Sequence, residues 1–167
     1  MNREMQIILE VNVQAENFYD KAAQLGDHAA KVLGSRRRSQ MTGLENIADS
    51  ALKKTDIFDY IKRQTGRFPF WRQSYPGDKS QRSSNNAADD KGFGERLLYY
   101  LEKDLDEIYL KEICSKDRLN IGNTKEEERY ERRRISLLLI RQFIHQMVAA
   151  YEFQVSMSNS NNGKKGA

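Results

Sequence analysis

At 167 residues the chain has room for one domain, and 38% apolar with 31% charged content suits a small core of amphipathic helices with charged outer faces. That balance excludes a large buried parallel sheet, which needs near-continuous Val/Ile/Leu strands. The net charge of +4 is unevenly spread: Gly34 to Arg82 holds eleven Lys/Arg against five Asp/Glu, so this segment is strongly basic and the remainder slightly acidic.

Met5, Ile7, Leu9, Val11 and Val13 come close to the period of two that marks a strand. No second strand candidate exists to pair with them, and from Ala15 the apolar residues Phe18, Tyr19, Ala22 and Leu25 recur at helical spacing. One long helix from about Glu4 to Leu33 is expected, with a bend near Gly26 and Gly34 as its C-cap. Gly34 to Ser39 then forms a small, polar, basic connector. Thr42 and Glu45 match a capping box, and Leu44, Ile47, Ala48, Ala51, Leu52, Phe58 and Ile61 predict a second helix to about Thr65, ended by Gly66.

Arg67 to Lys91 reads as a loop, because Pro69 and Pro76 break helices and Ser80 to Asn86 offers no apolar anchor. Mobility is expected over about 75–91. Phe68, Phe70 and Trp71 at its front either fold back as an apolar plug or stay on the surface as anchors. Leu97, Leu101, Leu105, Ile108 and Ile113 predict a helix from Phe93 to Cys114. After a turn at Asn120 to Asn123, Thr124 to Glu127 reads as a second capping box. The last helix runs through Ile135, Leu138, Leu139, Phe143, Met147, Val148 and Tyr151 to roughly Phe153. It is apolar nearly all round between Ile135 and Ile140, which marks it as central. The polar tail from Ser156 to Ala167 is expected to be disordered. The fold expected is all-α: a bundle of about four to five helices in one domain over 1–155, with a long internal loop and a disordered tail over 156–167.

Cys114 is the only cysteine, so no intrachain disulfide and no thiolate cluster can form. Met1 to Glu10 lacks the basic region and small-residue cleavage site of a secretory signal, and no window approaches about 20 apolar residues. A cytoplasmic protein with no membrane partner is expected. His28 and His145 stand in no metal-binding spacing, and His28 reads as a surface residue while His145 reads as a packed or capped one. Cys114 reads as a small buried hydrophobe. Gly-x-Gly-x-x-Gly, Walker-type and Gly-x-Ser-x-Gly patterns are lacking. The expectation is a protein without catalytic residues, metal or cofactor.

The basic residues carry more information. Arg36, Arg37 and Arg38 lie on the connector, where they can reach phosphates without distorting a helix. Lys62, Arg63 and Arg67 close the second helix, where they also suit its negative dipole end. Trp71 and Arg72 follow, with Phe68 and Phe70 beside them. Arginines interleaved with aromatics suit a single-stranded nucleic acid, whose bases stack while guanidinium groups hold phosphates. Arg129, Arg132, Arg133 and Arg134 are offset by Glu126, Glu127, Glu128 and Glu131, so a salt-bridged helix face is expected there.

Two stretches resemble a known family. Ser39-Gln40-Met41-Thr42-Gly43-Leu44-Glu45-Asn46-Ile47-Ala48 leads into a helix that ends Asp59-Tyr60-Ile61-Lys62-Arg63-Gln64-Thr65-Gly66-Arg67. Ile140-Arg141-Gln142-Phe143-Ile144-His145-Gln146-Met147-Val148-Ala149-Ala150-Tyr151 closes the final helix. Together they are similar to the small all-helical subunit of type III CRISPR effector complexes. That resemblance implies about five helices, no catalytic site, and several copies along a guide RNA–target RNA duplex beside larger subunits. It implies RNA and other protein subunits as partners. Contact to a nucleic-acid backbone needs flexible Arg and Lys and no base-reading helix, which suits the connector. The alternative reading is a helical adaptor that associates through apolar faces without nucleic acid.

Overall fold

The computed structural model describes residues 1–77 and 90–163. Among them there is no strand. α1 (Arg3–Asn17) opens on Asn2, whose side-chain oxygen accepts from the Met5 amide at 2.8 Å. The near-alternation of residues 5 to 13 is therefore helical, with Ile7 and Val11 buried and Met5, Leu9 and Val13 exposed.

The expected single N-terminal helix is broken at Phe18 and not at Gly26. Phe18 leaves helical geometry at φ −99° and ψ 6°, and α2 (Tyr19–Leu33) continues from it. Its ring is fully buried against Tyr109 and Phe143. The bend keeps one face of each helix on the same central rod. Gly26 serves close packing instead. A Cβ there would collide with the Met147 carbonyl oxygen, so glycine lets the two backbones touch.

Gly34 is the expected terminator, at φ 62°, with its amide donating to the Ala30 carbonyl. The connector is not a loose joint. Ser35–Arg37 forms a 3₁₀ turn, and α3 (Arg38–Ser50) follows at once. Thr42 is thus inside the helix and its hydroxyl donates to the Arg38 carbonyl, so it caps nothing.

The second predicted helix is divided. Ala51 turns extended, Leu52 is 93% exposed, and α4 (Lys54–Arg67) begins afterwards. Arg141 satisfies the carbonyls freed at this break, donating to Ala48 and Ala51 at 2.8 Å each. α4 passes Gly66 and stops at Phe68, which precedes Pro69 and takes the extended conformation such a position favours.

α5 (Phe93–Tyr99), a π-helical segment (Tyr100–Leu110) and α6 (Lys111–Ile113) form one rod. The wider π turn moves the buried side from Ile108, which is exposed, to Tyr109 and Leu110. α7 (Glu126–Gly163) is the central helix, burying Ile135, Leu139, Ile140, Phe143, Ile144, Met147, Tyr151 and Val155. Its opening differs from the expected box: the Glu128 carboxylate, and not Glu127, accepts from the Thr124 and Lys125 amides. Those bonds hold the Glu128 carboxyl below its usual range.

Around α7, α1 and α2 run parallel to it, as the Gln146–Ala15 and Tyr151–Gly34 hydrogen bonds show. α3 runs antiparallel, with His145 meeting Glu45 and Asp49 and Arg141 meeting Ala48. α4 antiparallels α3, because the Tyr60 hydroxyl reaches the Gln40 carbonyl. α7 buries nothing beyond Val155: Ser156 to Gly163 continue it as exposed helix where a disordered tail is expected. Residues 164–167, like most of the expected mobile loop, lie outside the described residues.

Candidate nucleic-acid interface

The antiparallel arrangement sets the C-termini of α2 and α4, the N-terminus of α3 and the Tyr151 turn of α7 at one end of the bundle. That end receives the arginine-rich connector. Tyr151 donates to the Gly34 carbonyl, and Tyr60 donates to the Gln40 carbonyl at 3.0 Å, so two phenols brace it from below. Burial pushes both phenols above the usual tyrosine range, and for Tyr151 the nearby Arg38 and Arg37 pull the other way.

Trp71 occupies the centre of this end. The Pro69–Arg72 turn drives it inward, where it is fully buried against Phe93 and its indole N–H donates to the Gln40 side-chain oxygen at 2.6 Å. The plug reading therefore holds for Trp71, and its expected place on a base-stacking surface is overturned, because a fully buried ring has no face left for a base. Phe68 and Phe70 are half-buried against the same core.

The arginines divide into two sets. Arg37 donates to the Leu33 carbonyl at 3.1 Å and lies over the Phe70 ring at 3.3 Å, so it closes α2 and covers the plug. Arg72 donates to the Thr65 and Gly66 carbonyls, capping α4. Lys62 is drawn sideways to Glu102, 3.7 Å away. Arg36, Arg38, Arg63 and Arg67 are exposed, and among the described residues no carboxylate stands at ion-pairing distance from them. Of the eight expected site residues, then, four are left facing solvent at one end and four are engaged with the protein.

Sequence reasoning missed the support beneath. His28, expected on the surface, is fully buried in α2. Its Nε2 meets the Gln73 carbonyl at 2.9 Å and its Nδ1 meets the buried Arg96 guanidinium at 3.3 Å. A guanidinium only donates, so Nδ1 accepts and Nε2–H donates, as a neutral imidazole can. Tyr75 donates to the Asp27 carboxylate at 2.6 Å, fixing the chain after the plug. No spacing in the sequence betrays these pairs, which join residues more than 40 positions apart.

At the other end, Arg134 pairs with Glu4 and Arg3 with Glu131, while Arg132 donates to the Gly122 and Ile121 carbonyls. The expected salt-bridged face is thus directed at α1 and the preceding turn. Cys114 is buried, which pushes its thiol up. Among the described residues no three His, Cys, Asp or Glu side chains are placed to hold a metal ion, and no helix is long and apolar enough to cross a membrane. Comparison with known proteins finds no matching family model, curated protein or solved structure.

Proposed function

We propose that this chain is a non-catalytic RNA-binding small subunit of a multi-subunit ribonucleoprotein, of the type III CRISPR kind to which the stretches Ser39–Arg67 and Ile140–Tyr151 are similar. The observation that carries the reading is the gathering of Arg36, Arg38, Arg63 and Arg67, exposed and without carboxylate partners among the described residues, at one braced end. A structural role explains Arg37 and Arg72 but does not extend to these four. With Trp71 inside, the contact is to phosphates and not to base faces, so recognition is by backbone charge and indifferent to sequence.

Titration of a single-stranded RNA and an RNA duplex into the purified chain at several salt concentrations tests this. Affinity falling steeply with salt, and equal across sequences, supports it. Absence of RNA binding, alone and with its neighbouring subunits, removes it. A protein adaptor without nucleic acid is the second reading, favoured by the exposed apolar side chains on α1.

A further inference from the structure

Two adjoining clefts open where the start of α4 meets the first turns of α7. The larger, about 610 Å³, lies between Leu52, Lys53 and Lys54 on one side and Tyr130, Arg133 and Leu137 on the other. The smaller, about 340 Å³, shares Lys54 and Arg133 and adds Arg129 and Arg132. Among the described residues one carboxylate lines them, that of Asp106, and it is taken: Lys54 Nζ lies 2.7 Å from it and the buried Ser136 hydroxyl donates to it at 2.8 Å. Arg132 is spent on the Ile121 and Gly122 carbonyls. Arg129 and Arg133, one helical turn apart, have no carboxylate at ion-pairing distance among the described residues, although α7 opens on several glutamates. Glu128 is held by the Thr124 and Lys125 amides, Glu131 by Arg3, and Glu126 and Glu127 line a different cleft against α1. The start of α4 has no side-chain cap, so its positive end adds to the same cationic wall. The larger cleft is also apolar: Leu137 is buried at its base, while Leu52 and Tyr130 stand 93% and 68% exposed on its walls.

We propose that the paired cleft binds a nucleoside polyphosphate, with its ring system between Leu52 and Tyr130 and its phosphates across Lys54 and Arg133 toward Arg129. The larger cleft has the size of a small-molecule site, which runs from about 300 to 1,000 Å³. Cations without a free carboxylate select an anion, and a guanidinium fork matches phosphate oxygens in pairs. Lys54 is set in place by Asp106 and Ser136, and an ammonium carries three N–H donors, so one remains for a ligand. Lys54, Arg129 and Arg133 line one small cleft, which suits several charges on one short chain. A bare inorganic anion makes no use of Leu52 and Tyr130, whereas an aromatic base stacks on a tyrosine ring and covers a leucine. The two clefts therefore divide the ligand, the apolar one taking the nucleoside and the polar one the outer phosphates. The site draws on none of the arginines assigned to RNA. Tyr151, which braces that other end, lies roughly 27 Å further along α7 than Arg133. The inference does not depend on RNA binding.

Isothermal titration of ATP, tripolyphosphate and adenosine into the nuclease-treated full chain at physiological salt tests it. ATP saturates a single site, and tripolyphosphate and adenosine each bind at least about fivefold more weakly. Arg133→Ala weakens both ATP and tripolyphosphate at least about tenfold. Tyr130→Ala weakens ATP about fivefold or more and leaves tripolyphosphate unchanged. Both side chains are exposed, so circular dichroism melts of the two variants match the parent. Replacing Arg36 and Arg38 by Ala leaves ATP binding as it was. The proposal is overturned by the absence of saturable ATP binding up to about 1 mM, by an Arg133→Ala variant that binds like the parent, or by tripolyphosphate or adenosine binding as tightly as ATP. It is equally overturned by ATP binding that disappears with Arg36 and Arg38, or by an RNA oligonucleotide that needs Arg133 and excludes ATP, which would make the cleft an RNA contact.

Discussion

The Tyr151 hydroxyl donates to the carbonyl of Gly34, tying the last core turn of the central helix to the residue from which the arginine connector departs. Tyr60 makes the equivalent bond to Gln40. Both phenols are raised by burial, which gives a signed consequence. In the unfolded chain they ionise near their ordinary value of about 10, and in the folded chain only at higher pH. Their contribution is therefore complete below about pH 10 and is lost as pH climbs from there through the higher value at which the folded phenols ionise. Urea unfolding between neutral and alkaline pH should show stability falling on the alkaline side. The Tyr60→Phe, Tyr151→Phe double variant should lose about 1 kcal/mol per hydrogen bond at neutral pH and show a shallower alkaline decline.

Replacing Arg36 and Arg38 by Ala should leave the fold intact and weaken RNA binding for every sequence alike. Each phosphate contact removed should reduce the slope of log affinity against log salt by about one. Arg63→Ala with Arg67→Ala should act in the same direction. Arg37→Ala should instead lower the melting temperature, since it strips the cap from Leu33 and the cover from Phe70. Fluorescence titrations and thermal melts separate the two outcomes.

The helical class and the central place of α7 were legible because Ile135 to Ile140 and the stripe around Leu97, Leu101 and Leu105 are periodic and strongly apolar. The breaks at Phe18 and Ala51 were not legible. Neither is marked by proline or glycine, and each is imposed by the need to keep two helices on one rod. Gly26 and Thr42 misled for a related reason: a glycine can serve close packing as well as a bend, and a Thr-x-x-Glu pattern also occurs inside helices. Of the candidate site, the charge bias marked the segment whose Arg36, Arg38, Arg63 and Arg67 the fold leaves exposed. Which arginines are spent on capping depends on carbonyls that only the folded chain presents, and the His28–Arg96 pair joins distant segments that no local pattern connects.

Trp71 separates the plug from a stacking surface. Trp71→Ala should cost about 3–5 kcal/mol, the range for removing a large buried aromatic, and would leave the Gln40 side-chain oxygen without its donor. In the parent chain its emission should be that of a buried indole. Adding RNA at saturating concentration should neither quench nor shift it, whereas denaturant should shift it to longer wavelength. Quenching by RNA in the folded protein would place the indole against bases and contradict the burial described above.

Cys114 offers a check on the buried core beside the Ser115–Asn120 turn. Its thiol is buried and raised chiefly by that burial, so little thiolate exists at neutral pH. Labelling by a thiol-specific disulfide reagent should be slow in the native protein and rapid in denaturant, at one equivalent per chain. Fast native labelling would show that the turn opens readily.

Two glycines inside helices should respond to the same substitution with opposite signs. At Gly26 the added methyl would collide with the Met147 carbonyl oxygen and lie 2.6 Å from the Ala150 Cβ. Two backbones cannot yield as a flexible side chain can, so Gly26→Ala should destabilise by about 1–3 kcal/mol or more. At Gly66, in the last turn of α4, nothing lies within 4 Å of the new Cβ. There alanine restricts only the unfolded chain and favours the helix, so Gly66→Ala should stabilise by about 0.5–1 kcal/mol. Parallel thermal melts of the two variants read the difference directly. A neutral Gly26→Ala would mean that α2 and α7 do not approach as closely as the Gly26–Met147 contact requires, and the packing that positions Gly34 under Tyr151 would have to be looser than described.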